Sequence, residues 1–232
     1  MEPLISIVIP AYNAERFIAE TVQSVFRQGY SNIEIIVVDD GSTDGTVRAL
    51  QPFGDTVTII SQENKGQAIA RNVGIRAAHG SIIGLLDADD IWPDDHISTM
   101  LPYLVGEHAC DYVRGLVRYV QDTGNGLVKT TENLLLEPLV GACLYKKSVF
   151  DTVGLFDEDM HQGEDFDWNI RLHESGLREE RLAFTALLYR RHDQNLTNSQ
   201  EFVKLGQVHA FRNKLARARK KNQHGANTTE QS

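Results

Sequence analysis

The sequence predicts an α/β fold built on a mainly parallel sheet, and three observations predict it. Short, continuous apolar runs recur between Leu4 and Leu86, the pattern of strands buried on both faces. Longer segments between them repeat their apolar residues at helical spacing. Acid-rich polar turns stand where the runs end. Strand–helix alternation of this kind builds a parallel sheet through crossover helices.

Leu4 to Ile9 is the first run, and Pro10 is expected to end it. Ala14 to Gln28 reads as a helix with Ile18, Val22 and Val25 on one face, Phe17 and Phe26 beside them, and Gly29 as its stop. Glu34 to Val38 is a second strand. The turn Asp39-Asp40-Gly41-Ser42 follows, and Ser42 or Thr43 is placed to cap the next helix. Thr56 to Ile60 is a third strand. Gln67 to Ala78 is a helix with Ile69, Val73 and Ala77 on one face, ended by Gly80, and Ser81 to Leu86 is a fourth strand. The second half is less regular. Tyr112 to Tyr119 and Leu127 to Thr131 read as strands about a turn at Thr123-Gly124-Asn125-Gly126. Leu139 to Tyr145 is a further strand, Gly163 to Ser175 a helix that opens with acids, and Leu182 to Arg190 a late strand. Residues 201–222 form a helix that is basic at its end, and the polar residues 223–232 read as a disordered tail. With no repeat or internal linker, residues 1–200 make one domain.

Composition narrows the function. The chain has 232 residues and is 41% hydrophobic, enough for one well-buried core. Its net charge of −9 argues against a nucleic-acid partner, which selects for basic surface. Cys110 and Cys143 are too few for a disulfide framework and read as buried free thiols. There is no basic-then-apolar leader and no apolar run of membrane-spanning length. The expected location is the cytoplasm, with peripheral contact at the membrane as a variant of it.

In open α/β sheets ligands sit at the carboxyl ends of the strands. Three of those ends carry Pro10-Ala11-Tyr12-Asn13, Asp39-Asp40-Gly41 and Asp87-Ala88-Asp89-Asp90. Asp87 and Asp89, two residues apart on an extended exit, point to one side. Paired carboxylates suit a hard cation, Mg²⁺ or Mn²⁺, which can bridge a diphosphate and resolve the problem an acidic chain has in binding one. The same segment also suits an acidic turn that caps the helix after Pro93. Asp39 or Asp40 can accept the ring N–H of a base such as uracil, and equally suits a strand-to-helix turn. Glu164-Asp165 opens a helix, where acids complement the helix dipole and where one of them can act as a general base. His192, at the end of the late strand, is a candidate imidazole ligand, which would favour Mn²⁺ over Mg²⁺. Arg71 reads either as a cation for a diphosphate or as surface charge. Trp92 and Trp168 read as packing.

The ordered set of motifs resembles the family 2 glycosyltransferases. It runs from Ser6-Ile7-Val8-Ile9-Pro10-Ala11-Tyr12-Asn13 through Val38-Asp39-Asp40-Gly41-Ser42-Thr43-Asp44, Asn64-Lys65-Gly66 and Ala70-Arg71-Asn72-Val73-Gly74. Leu86-Asp87-Ala88-Asp89-Asp90, Gly154-Leu155-Phe156-Asp157-Glu158 and Glu164-Asp165 complete it. The resemblance implies a GT-A fold: a Rossmann-like, mainly parallel mixed sheet flanked by helices, with a nucleotide-binding half at about 1–92 and an acceptor half at about 93–200. It implies that Pro10 and Tyr12 line the base pocket and that Asp40, in preference to Asp39, binds the base N–H. Arg71 would lie near the nucleotide, and Asp87 would contact the ribose or the metal. Asp89, with His192, would ligate Mn²⁺ or Mg²⁺, and Asp165 would be the base. The implied reaction is a single inverting displacement from a UDP-sugar onto a glycan or lipid-linked acceptor in surface polysaccharide synthesis. Processive members carry Gln-x-x-Arg-Trp after the base; here Asp167-Trp168-Asn169-Ile170-Arg171-Leu172 follows, so one sugar per encounter is expected. A rival reading is a non-catalytic sugar-nucleotide binder of the same fold. A nucleotidyltransferase would show a Gly-rich basic loop after the first strand, and Pro10-Ala11-Tyr12-Asn13-Ala14 is not one.

The C-terminal helix has an apolar stripe of Phe202, Leu205, Val208, Phe211 and Leu215, with basic residues crowding its second half. It is expected either to pack that stripe on the domain, or to rest it on an anionic membrane or a second subunit.

Overall fold

The computed structural model describes residues 2–122, 127–129 and 139–229. Its strands are β1 (Ile5–Ala11), β2 (Ile33–Asp39), β3 (Val57–Ser61), β4 (Ile82–Leu85), β5 (Tyr112–Asp122), β6 (Leu127–Lys129), β7 (Cys143–Lys146) and β8 (Glu179–Arg191). Its helices are α1 (Ile18–Phe26), α2 (Thr46–Leu50), α3 (Gln67–Ala77), α4 (His96–Met100), α5 (Ser148–Val153), α6 (Glu164–Glu174) and α7 (Gln200–Thr229). The expected turn at Thr123–Gly126 and the strand end at Thr130–Thr131 lie outside the described residues.

The strands form one eight-stranded mixed sheet in the order β3-β2-β1-β4-β7-β5-β6, with β8 paired to β5. β3, β2, β1 and β4 are parallel, as their apolar runs require. The antiparallel β7 joins them to β5, and β5 and β8 run parallel. β1 is buried at every position, and the largest fully buried side chains include Ile5, Ile7, Ile9, Trp92 and Trp168. Cys110 and Cys143 are buried free thiols.

Pro10 does not end β1; it pairs in register with Val38, and Ala11 pairs with Asp39. The reason lies in strand parity. Val8 turns its carbonyl to the β4 side, where it accepts the Leu86 N–H at 3.0 Å, so Pro10 faces the same side. β4 has already ended there at Leu85, and the N–H that proline lacks is one no ladder bond needs.

Other boundaries moved for local reasons. α1 is shorter than expected, although backbone bonding already starts with Phe17 and Ile18 donating to the Ala14 carbonyl. α2 takes no side-chain cap from Ser42 or Thr43; the Asp44 carboxylate accepts the Thr46 N–H at 2.9 Å instead. α3 buries Ala68, Ala70, Arg71, Asn72, Gly74 and Ile75, not the expected Ile69, Val73 and Ala77, which are only half-buried. Its sheet-facing side is made of small residues because it packs close: a Cβ on Gly74 would come 2.3 Å from a Val8 methyl.

Leu139–Tyr145 divides into a 3₁₀ turn at Val140–Ala142 and the short β7. α7 is continuous to Thr229, past Asn222, where a tail was expected to begin; no proline interrupts it, although Asn222, His224, Gly225, Asn227, Thr228 and Thr229 are weak helix formers. Among the described residues no helix is long and apolar enough to cross a membrane.

Candidate active site

The carboxyl ends of β1, β2 and β4 deliver their turns to one edge of the sheet. Asp40 N–H donates to the Ala11 carbonyl at 2.8 Å, which joins the first two turns at their bases. Asn13, with φ +50°, clips them together further out. Its N–H donates to Ser42 Oγ (3.0 Å) and its Oδ1 accepts the Thr43 N–H (2.8 Å). Between them Pro10 is buried and Tyr12 presents its ring, 52% exposed.

Asp39 and Asp40 are both buried, but they do different work. Asp40 accepts from Gln62 Nε2 (2.7 Å) and Lys65 N–H (2.9 Å) on Oδ1, and from Gly66 N–H (2.8 Å) on Oδ2. It therefore shapes the turn that leads into α3. Gly41 lets that turn approach: it has φ +75°, and a Cβ on it would stand 2.7 Å from the Asn64 nitrogen. Asp39 spends only Oδ1, on the Ser42 N–H at 3.2 Å, and its Oδ2 accepts from no described residue. The expectation favoured Asp40 for the base; the hydrogen bonds leave the free oxygen on Asp39.

The acids after β4 also separate. Asp87 Oδ1 accepts from Gln67 Nε2 (3.0 Å) and Arg71 Nη2 (2.7 Å). Arg71, 2% exposed, donates through Nη1 to Glu164 at 2.9 Å. It is therefore not surface charge. It is a buried strut that ties the exit of β4 to the first turn of α6. Burial disfavours its charge, but Asp87, Glu164 and Asp165 outweigh that and hold it protonated.

Glu164 is buried and committed to Arg71, which leaves its neighbour Asp165 as the carboxylate available for chemistry. Asp165 accepts the Phe166 N–H on Oδ1 at 2.8 Å. Its pKa is pushed up to about 6, by burial first and then by the Glu164 charge, with Arg71 pulling the other way. A carboxylate tuned toward neutrality from its ordinary value suits a general base.

Asp89 faces β8. Its Oδ2 is 2.9 Å from His192 Nε2, and its side chain is 30% exposed against 6% for His192. The imidazole lies against Phe17, ring centroids 4.3 Å apart, and its Nδ1 accepts the Gln194 N–H at 3.2 Å. That contact turns Nε2 toward Asp89, where Asn195 Nδ2 also approaches it at 3.2 Å. Asp90 is buried and accepts the Arg190 N–H at 2.9 Å; burial, then the charges of Asp89 and Asp87, push its carboxyl well above its ordinary range. Arg190 is also internal, bonded to the Asp89 carbonyl and to Glu20. Arg191 is exposed and lies over the Tyr119 ring, so of the two arginines it is the one open to an anion.

A divalent cation fits part of this set. Among the described residues no three His, Cys, Asp or Glu side chains converge as a cage, and Asp87 Oδ1 is taken by Arg71 and Gln67. Asp89 and His192 alone offer an oxygen and a nitrogen in direct contact. Cations of this type use few protein ligands and complete their shell with phosphate oxygens and water.

Sequence reasoning missed Gln67, the Arg71–Glu164 strut and the Asn195 that braces His192 N–H through Oδ1. The position of Glu164 beside Asp165 was visible, but its partner was not.

The family model for Glycosyl transferase family 2 matches residues 6–217, and the chain belongs to that family. The chain is 32% identical over 186 residues to the chondroitin synthase of Escherichia coli, covering 75% of this chain and 27% of that protein. In several curated relatives it spans under half of their length. Among solved structures it resembles Staphylococcus aureus TarS 1–349 in complex with UDP-GlcNAc, with TM-score 0.68, 19% identity and coverage of 84% of this chain and 61% of that one. It also resembles the mannosyltransferase PcManGT of Pyrobaculum calidifontis in complex with GDP-Man and Mn²⁺, with TM-score 0.65, 20% identity and coverage of 84% and 59%. These structures have the GT-A fold, and so does this chain.

Proposed function

We propose that the chain transfers one sugar from a nucleotide diphosphate donor, a UDP-sugar, to an acceptor hydroxyl with inversion at the anomeric carbon. The observation that carries this reading is the pairing of a strand-end nucleotide edge with a raised-pKa carboxylate, Asp165, through the Arg71 strut. In this reading Pro10 and Tyr12 bound the base, and the free Oδ2 of Asp39 accepts its ring N–H. Asp87, steadied by Arg71 and Gln67, meets the ribose. Asp165 takes the acceptor hydroxyl proton, the freed oxygen bonds to the anomeric carbon from the face opposite the diphosphate, and the old C–O electron pair leaves with the diphosphate. Asp89 and His192 would hold Mn²⁺ or Mg²⁺, which when bound neutralises charge on the leaving diphosphate. Elsewhere the chain mainly positions its reactants. The relation to chondroitin synthase supports a glycan acceptor in surface polysaccharide synthesis.

Calorimetry tests the donor half of this reading. UDP should bind in Mn²⁺ and lose most of its affinity in excess chelator, because the acidic edge then repels the diphosphate. Equal affinity in both buffers would remove the metal from the account.

A further inference from the structure

α7 docks with one face only. Gly206 lies against Gly163, where a Cβ on Gly163 would fall 2.5 Å from the Gly206 backbone. Ala210 is buried, Asn213 donates to Asp157 at 3.2 Å, and Arg217 donates to Asp167 at 2.7 Å. At about 100° per residue these four share one arc of the helix. The apolar stripe lies on the opposite arc: Leu205, Val208, Phe211 and Leu215 are 42%, 45%, 59% and 58% exposed. The expectation that the stripe packs on the domain is therefore reversed. The docked face is small and polar because Gly163 and Gly206 bring the backbones together, and Asp157 and Asp167 supply polar partners.

Lys204, Arg212 and Arg219 sit on the same outer arc and are exposed. Over Gln200–Thr229 the helix has four lysines and three arginines against the single acid Glu201, a charge of +6, so the rest of the chain carries −15 of the total −9. Charge therefore selects the occupant of this face. Arg217 and Lys214 are ion-paired with Asp167 and Glu174 of the body, and two copies meeting through this face would set the exposed Lys204, Arg212 and Arg219 of each against those of the other. An anionic surface would attract the helix and turn the acidic body outward.

We propose that the outer face of α7 seats on an anionic lipid surface. The stripe is short and carries no Trp, so contact is shallow and reversible. Gly163 directly precedes Glu164 and Asp165, which puts the seated helix beside the turn that carries the base. That placement suits an acceptor presented on a lipid, and this last step rests on the transfer reading given above.

Flotation of the intact chain with vesicles tests the seat without any turnover. It should float with phosphatidylglycerol vesicles at low salt and stay behind with phosphatidylcholine vesicles or at high salt. Each basic residue near such a surface contributes about five-fold in partitioning, so Lys204→Gln, Arg212→Gln and Arg219→Gln together should weaken it roughly 100-fold. Phe211→Ser with Leu215→Ser should weaken it independently, and all these positions are exposed, so unchanged circular dichroism is expected. No flotation on anionic vesicles, or flotation that the neutral variant leaves unchanged, overturns the proposal. So does a dimer in light scattering that the Phe211 and Leu215 changes dissociate, if no vesicle binding accompanies it. A chain that floats but transfers no sugar upholds the seat and counts against the transfer reading alone.

Discussion

Asp165→Asn should lower turnover by roughly 10²–10⁴-fold while leaving UDP binding intact. Asparagine keeps the size of the side chain and an oxygen that can still accept the Phe166 N–H, but it cannot take a proton from the acceptor. The nucleotide edge is built by other elements, so donor affinity should not move. The pH profile gives an independent check. Burial and Glu164 raise the Asp165 pKa to about 6, and the base works only when deprotonated. The wild-type rate should therefore rise as pH increases through about 6 and then level off, while the residual rate of the variant should lack that step. A variant with a normal rate would show that another group is the base.

Arg71→Met should destabilise the fold and displace that pH profile at once. The guanidinium is buried between Asp87 and Glu164, and removing one partner of a buried ion network costs about 3–5 kcal/mol because the remaining charge stays buried. For a chain of this size that corresponds to a fall in Tm of roughly 10 °C. Arg71 also lowers the Asp165 pKa, so without it the rate step should move to higher pH. A merely structural residue would lower Tm and leave the step in place. Arg71→Lys should recover part of the stability but not the full bridge, since one ammonium cannot present the planar fork that spans two carboxylates. Unchanged thermal stability in Arg71→Met would contradict the strut.

The first half of the fold was legible because its signals are local. β1, β2 and β4 are continuous apolar runs that a parallel sheet buries on both faces, and their acidic exits mark the site edge. The second half was harder because its order comes from distant pairings. β5 takes β7 on one edge and β8 on the other, and β7 was legible only as the end of a longer strand, whose first residues turn instead into a 3₁₀ helix. The identities of the candidate site residues were legible, but their division of labour was not. Nothing in the spacing of Asp39 and Asp40 says which one the Gln62–Gly66 turn consumes. Arg71 and Glu164 lie 93 residues apart, and only the folded chain shows that they meet. α7 misled in the opposite way: its apolar stripe suggested a packed face, whereas paired glycines and polar contacts made the docked one.

The central claim, inverting transfer from a nucleotide-sugar donor, is tested most directly by the stereochemistry of turnover. A panel of UDP- and GDP-sugars should be incubated with the chain, Mn²⁺ and glycan acceptors, with nucleotide release and the anomeric configuration of the product followed by NMR. The account predicts release from a UDP-sugar, dependence on Asp165, and a product of opposite anomeric configuration to the donor. Product that retains the donor configuration, or release that Asp165→Asn does not diminish, would contradict it.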